Sequence, residues 1–208
     1  MLIQGQVGPS SAQSVQPGAT PPVRLGQLGD TIVSELHGRY YEATYRKTMY
    51  TGVTTTGQTT SAGNAVAFTG LMLINPPTST VNCVLNKVGL SFTTGQPAAN
   101  VAIGLQTGVT AAPGIVTYST TSTQTKSTFI GAPAGQAFVA ASATIPTGAN
   151  VAAIFGTVVQ NTTTSPGFFA DLEGSIIVPP GAFVATYSNA ASGTNALFAS
   201  FQWEEVPL

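Results

Sequence analysis

From Tyr40 onward the chain breaks into runs of Val, Ile, Thr, Phe and Ala, interrupted by Gly, Pro or Asn roughly every ten residues. Runs of that length suit strands and are too short for core helices, so the pattern predicts an all-β domain built as a sandwich or barrel. Candidate strands fall near 41–52, 65–74, 83–93, 100–106, 114–121, 126–130, 136–143, 151–157, 168–173, 175–178, 182–188 and 195–206. Turn chemistry separates them at Pro76-Pro77, Pro113-Gly114, Pro133-Ala134-Gly135, Thr147-Gly148 and Pro179-Pro180-Gly181.

The last of these strands is the clearest. Leu197, Ala199, Phe201 and Trp203 fall on one face and Ser200, Gln202 and Glu204 on the other, the period of two expected of a sheet with one dry side; only Phe198 breaks it. Val84, Val88 and Leu90 belong to a second mostly apolar strand, and Ile176-Ile177-Val178 reads as a short buried run. Glu204-Glu205 reads as the exposed end of a strand, its charges discouraging edge-to-edge pairing.

Charged residues make up only 6% of the 208 residues while hydrophobic residues make up 43%, against a usual charged share of about 25%. The surface is therefore covered by Thr, Ser, Asn, Gln and Gly, which gives little colloidal repulsion and favours association. Six Lys plus Arg against seven Asp plus Glu cannot form the basic stripe that neutralises a phosphate backbone, so nucleic acid is not the expected partner. No apolar stretch reaches membrane-spanning length, and the start Met1-Leu2-Ile3-Gln4 has no basic region leading into an apolar run, so a soluble protein is expected. The single Cys83 excludes an intrachain disulfide and a Cys-rich metal site, and reads as a small buried strand residue.

The N-terminal part is organised differently. Up to about residue 23, Gly5, Gly8, Pro9, Pro17, Gly18, Pro21 and Pro22 among Gln and Ser hold neither a helix nor a strand ladder, which leaves an extended arm. Leu2, Ile3, Val7 and Val15 give it apolar anchors: it is either a free tail or a segment that orders across a neighbouring subunit. Over 24–47 the charges concentrate, in Arg24, Asp30, Glu35, Arg39, Glu42, Arg46 and Lys47, together with the one histidine, His37. Asp30 and Gly38 bracket a short helix over 31–37, an extended strap being the alternative. The expected division is thus an arm and strap at 1–47 and a β-sandwich at 48–208.

Chemistry is hard to find. Between Thr48 and Ala170 the only charged side chains are Lys87 and Lys126, whereas acid–base work needs two titratable groups in one cleft. Asp171 and Glu173 share a strand face as a glycosidase pair does, but a solvated edge or cation contact is the plainer reading. His37 lies in no nucleophile-elbow pattern, and no phosphate loop, dinucleotide fingerprint or metal-ligand cluster occurs. The expectation is a protein that is not an enzyme and needs no cofactor. Tyr and Arg are the residues most enriched at interface anchors, so Arg24, Asp30, Glu35, His37, Arg39, Tyr40, Tyr41, Glu42 and Arg46 form the expected interface. The plainer alternative is that Arg39 and Glu42 pair with each other on an arm folded against its own domain.

Three pieces carry a resemblance. They are Gly-Asp-X6-His-Gly-Arg-Tyr-Tyr-Glu-Ala from Gly29 to Ala43, Leu73-Ile74-Asn75-Pro76 leading to Val84-Leu85-Asn86-Lys87-Val88, and Ile177-Val178-Pro179-Pro180-Gly181. In these the chain resembles the capsid cement or decoration proteins of tailed bacteriophages; the stretch from about 95 to 165 is similar only in its Thr, Ala and Gly-rich style. The resemblance implies a jelly-roll sandwich that clamps the major capsid protein from outside as a dimer or trimer. It also implies a place on the outer capsid surface of the virion, reached after synthesis in the host cytoplasm. The rival expectation is a carbohydrate- or receptor-binding sandwich of a phage fibre or spike, with Tyr118, Phe168 or Trp203 stacking on sugars.

Overall fold

The computed structural model describes residues 5–6, 23–24, 38–93, 100–109, 117–145, 149–159, 166–193 and 195–208. The chain divides into two compact units, residues 1–41 and 42–208. In the first, β1 (Gly5–Gln6) pairs in parallel with β2 (Val23–Arg24). The expected helix over 31–37 lies outside the described residues.

The second unit begins within a one-turn helix, α1 (Tyr41–Tyr45), where the run pattern had suggested the start of a strand. The correction has a local cause. Lys47 adopts a left-handed backbone with φ 63°, its N–H bonds to the Thr44 carbonyl, and the Thr48 N–H reaches back to the Ala43 carbonyl. These two bonds make a Schellman stop, built here on a lysine where glycine is usual, so the signal is absent from the sequence.

The strands follow as β3 (Met49–Thr54), β4 (Ala67–Asn75), β5 (Val81–Phe92), β6 (Val101–Val109), β7 (Thr117–Ser119), β8 (Thr123–Ser127), β9 (Phe138–Thr144), β10 (Asn150–Val158), β11 (Gly167–Val178), β12 (Ala182–Ser188) and β13 (Leu197–Pro207). They form a six-stranded sheet in the order β10-β6-β12-β4-β9-β7 and a five-stranded sheet in the order β11-β5-β13-β3-β8. Four antiparallel pairs are nested in the chain: β3 with β13, β4 with β12, β5 with β11, and β6 with β10. Successive strands of this long hairpin alternate between the two sheets, which is the winding of a jelly roll. Strands β7, β8 and β9 are inserted at the hairpin's tip and extend both sheets on one side.

Burial follows the expected alternation where a strand has one dry face. On β13, Leu197, Ala199, Phe201 and Trp203 are all buried, with Glu205 continuing the same face. They join Leu71, Leu73, Leu85, Leu90, Val139 and Val184 in the core between the sheets. A second cluster, including Phe68, Met72, Ile74, Ala140, Phe183 and Ala185, lies on the opposite face of the six-stranded sheet, so β4 is buried on both sides. On β5 a register shift opposite Gln202 and Trp203 brings both Leu85 and Asn86 inside and turns Val84 half outward. The Ile176-Ile177-Val178 run is corrected likewise: it lies on the edge strand β11, where Ile177 faces solvent. The candidate strand at 126–130 ends at Ser127: the Thr128 N–H makes one more bond in register, to the Met49 carbonyl, and the chain then turns, with the Ala132 N–H bonded to the Phe129 carbonyl.

The β10–β6 pairing depends on one close approach. A Cβ on Gly104 would collide with the backbone carbonyl oxygen of Ala153, at the place where β10 carries two register shifts. Gly104→Ala is therefore expected to destabilise the sandwich by about 1–3 kcal/mol, as overpacking does, lowering Tm by roughly 2–12 °C. Thermal denaturation checks this; an unchanged Tm would mean that β10 is not held against β6 in this register.

Candidate functional site

Among the described residues Glu205 is the one carboxylate that the fold takes inside, only 6% exposed, and this corrects its expected place at an exposed strand end. β13 is not an edge: it runs between β5 and β3. The Glu205 carboxylate accepts the backbone N–H groups of Gln136 (3.0 Å) and Ala137 (2.9 Å) and the indole N–H of Trp203 (3.5 Å). Gly135 lies so close that any side chain there would strike the carboxylate. Gln136 in turn accepts the Thr80 N–H at 2.9 Å, so the β8–β9 connection is clasped to the end of β13 and to the β4–β5 turn. A buried charge needs such donors, and these make Glu205 a fastening point.

Two neutral groups feel that charge. Burial first, and the Glu205 carboxylate second, push the Cys83 thiol up to about 12 and raise the Tyr50 phenol above its ordinary value. Cys83 is wholly buried, in keeping with its reading as a core residue.

The expected interface residues are distributed as follows. Asp30, Glu35 and His37 lie outside the described residues, and Arg24 is placed only by the backbone pairing of β2. Arg39 stacks its guanidinium 5.5 Å from the Tyr40 ring centroid, and the Tyr41 N–H bonds to the Gly38 carbonyl. Glu42 pairs with Arg46 at 2.7 Å, one turn along α1, in place of the Arg39–Glu42 pairing considered above. This i,i+4 pair is exposed, which makes it a weak contribution to stability.

The sequence pattern passed over a neighbour of α1. Thr44 and Thr128 hydroxyls lie 3.4 Å apart, and the Lys47 ammonium sits 5.3 Å from the Phe129 ring centroid. This seats the start of the β8–β9 connection beside α1 and leaves Ile130 95% exposed and Tyr45 54% exposed. The loop is ordered by its own bonds: Phe129 N–H to the Ser127 hydroxyl, and Ala132 N–H to the Phe129 carbonyl. Lys47, Phe129 and Ile130 thus form a knob of apolar anchors with one cation beside α1, a composition suited to contact with another protein.

Of the residues expected to stack on sugars, Trp203 is wholly buried in the core and Phe168 is half-buried against it. Tyr118 is exposed, with its ring 4.9 Å from that of Phe138, beside a shallow depression of about 400 Å³ lined by Thr69, Thr117, Ser119, Ser142 and Thr144. Asp171 and Glu173 both face solvent on β11. The Glu173 N–H bonds to Asp171 Oδ1 (3.2 Å), Glu173 has φ 51°, and Asp171 stands opposite Lys87 in the register. That is a local turn in an edge strand rather than a cleft. Among the described residues, no three His, Cys, Asp or Glu side chains converge on a point.

Glu205→Ala is expected to cost about 2–4 kcal/mol, because two backbone N–H groups lose a charged acceptor; equilibrium denaturation measures it. A second expectation concerns alkaline pH. Cys83 and Tyr50 hold their protons more tightly folded than unfolded, so their share of stability is intact below the ordinary thiol value of 9.0 and drains away as pH rises towards about 12. Native Cys83 should resist iodoacetamide at pH 8 and react once the chain is denatured. Glu205→Gln should bring the folded thiol and phenol back towards their ordinary values and so reduce the loss of stability between about pH 9.0 and 12, and a pH dependence left unchanged would mean that the carboxylate does not act on these groups.

No family model matches the chain, and no curated protein or solved structure is significantly similar to it.

Proposed function

We propose that this chain is a virion structural protein of the capsid cement or decoration class, which binds the outer surface of a phage shell and stabilises it. The major capsid protein and further copies of the chain, as dimer or trimer, are its partners in this reading. One observation carries it: an ordered loop holds Ile130 out into solvent next to Phe129, whose ring lies against Lys47, on a protein whose surface is otherwise poor in charge. A grouped set of apolar anchors on a rigid support is what a protein partner covers. The function is contact area. Each copy contributes weak burial, and a symmetric shell multiplies it over many sites.

A second reading, glycan or receptor binding by a fibre or spike, is favoured by the Tyr118 depression, where an exposed ring lies among hydroxyl groups. Binding to a glycan array that Tyr118→Ala abolishes, without sedimentation on shells, would replace the first reading with this one.

The first reading is tested by co-sedimenting the full chain with shells of the virus that encodes it and by measuring the heat resistance of the decorated shells. Ile130→Asp is expected to weaken shell binding about tenfold, the loss of one anchor. Deleting residues 1–23 is expected to leave the sandwich folded and to weaken assembly or shell binding. If the unsubstituted chain does not sediment with shells, the proposal fails; if both variants bind undiminished, the knob and the arm are not its contact surfaces.

A further inference from the structure

The outer face of the five-stranded sheet carries a feature that the shell-binding proposal does not use. Phe169 on β11 stands opposite Gly89 on β5, and Gly89 stands opposite Ser200 on β13. One step along, Ser91 on β5 stands between Gly167 and Phe198. The two phenyl rings, 71% and 43% exposed, therefore flank a groove that crosses β5 diagonally, with Gly89 and Ser91 as its floor. Its volume is about 430 Å³. Gly89 keeps it open, since a Cβ there would lie 2.8 Å from the Ser200 hydroxyl and rise between the rings. No charged side chain is among its lining residues; the Lys87 ammonium stands nearby, 5.8 Å from the Phe169 ring centroid.

An aromatic-walled groove with an uncharged floor fits an extended, proline-rich segment, whose rings lie against aromatic faces and whose backbone is already straight. The chain supplies such a segment. Residues 1–23 contain no Asp, Glu, Lys or Arg, and Gln16-Pro17-Gly18-Ala19-Thr20-Pro21-Pro22 concentrates its proline. Chemistry matches on both sides: apolar and hydroxyl groups, and no charge to desolvate. Between Thr20 and Glu42 the chain can span at most about 80 Å when extended, ample for reaching a neighbouring molecule.

We propose that the groove between Phe169 and Phe198 takes the proline-rich segment Gln16–Pro22 of a second copy, so that copies are linked by exchanged arms. The contact stands apart from shell binding and does not require it. Charge-poor surfaces favour such self-association, and a segment rich in proline has less backbone freedom to lose on docking.

Disulfide trapping between full-length chains tests this. One chain carries Thr20→Cys and the other, with a different tag, carries Ser91→Cys; buried Cys83 does not compete. Mild oxidation of the mixture should give a disulfide between the two tags. Adding Phe169→Ser to the groove chain should reduce its yield about tenfold, the loss of one anchoring ring. Its exposure predicts an unchanged Tm, which verifies that the variant folds. Two results would overturn the proposal: no disulfide between tags, or a doubly substituted chain that closes only on itself. A between-tag disulfide indifferent to Phe169→Ser would equally overturn it, since the groove would not be the seat.

Discussion

Everything in the sandwich hangs on β13 lying between β3 and β5. Its buried side chains, Leu197, Ala199, Phe201 and Trp203, fill the middle of the core, and its backbone joins the beginning of the domain to its centre. Until those last residues arrive, β3 and β5 have no shared neighbour, and the five-stranded sheet is two separate pieces. The nested pairing makes nearly every sheet contact long-range in sequence, with β3 meeting β13 as the extreme case. Such topologies fold slowly, because loop closure must precede the contacts that reward it. Glu205 extends the same dependence beyond the apolar core: it fastens the β8–β9 connection to the strand that arrives last.

Much of this was legible in the sequence, and the reasons are physical. Period-two alternation on β13 declared its dry face because one side of that strand meets the core and the other meets solvent. The all-β sandwich or barrel followed from run lengths and turn residues, its jelly-roll winding was implied only by the resemblance, and the burial of Cys83 followed from its place in an apolar strand. Two of the failures share a cause, which is that a linear pattern does not say which strands are central. Ile177 reads as core by composition and lies on an edge; Glu205 reads as a terminal charge and lies inside because β13 is central. α1 escaped because its stop uses Lys47 in a left-handed conformation, without the glycine that marks such stops. The knob escaped for another reason: Lys47 meets Phe129 and Ile130 only once the inserted strands fold back beside α1. Of the expected interface, Arg39 to Arg46 is described, and its internal pairs, Arg39 with Tyr40 and Glu42 with Arg46, already engage most of its charge.

The edges of the two sheets narrow how copies of this chain can meet. On the inserted side the edge strands are short and polar: β7 has three residues and β8 carries Lys126. On the other side β10 and β11 are long, but each is broken in register, twice in β10 and once in β11, where Glu173 and Gly174 take positive φ. Bulges of this kind twist an edge away and keep a foreign strand from adding to it. Both sides therefore resist open-ended sheet extension, the hazard that a charge-poor β-protein runs at high local concentration. In the association proposed above, the contacts fall to side chains standing off the framework: the rings beside Gly89 on one sheet face and the aliphatic tip at Ile130. Contacts of that type close at a defined geometry and stop, which is what a finite assembly requires of its parts.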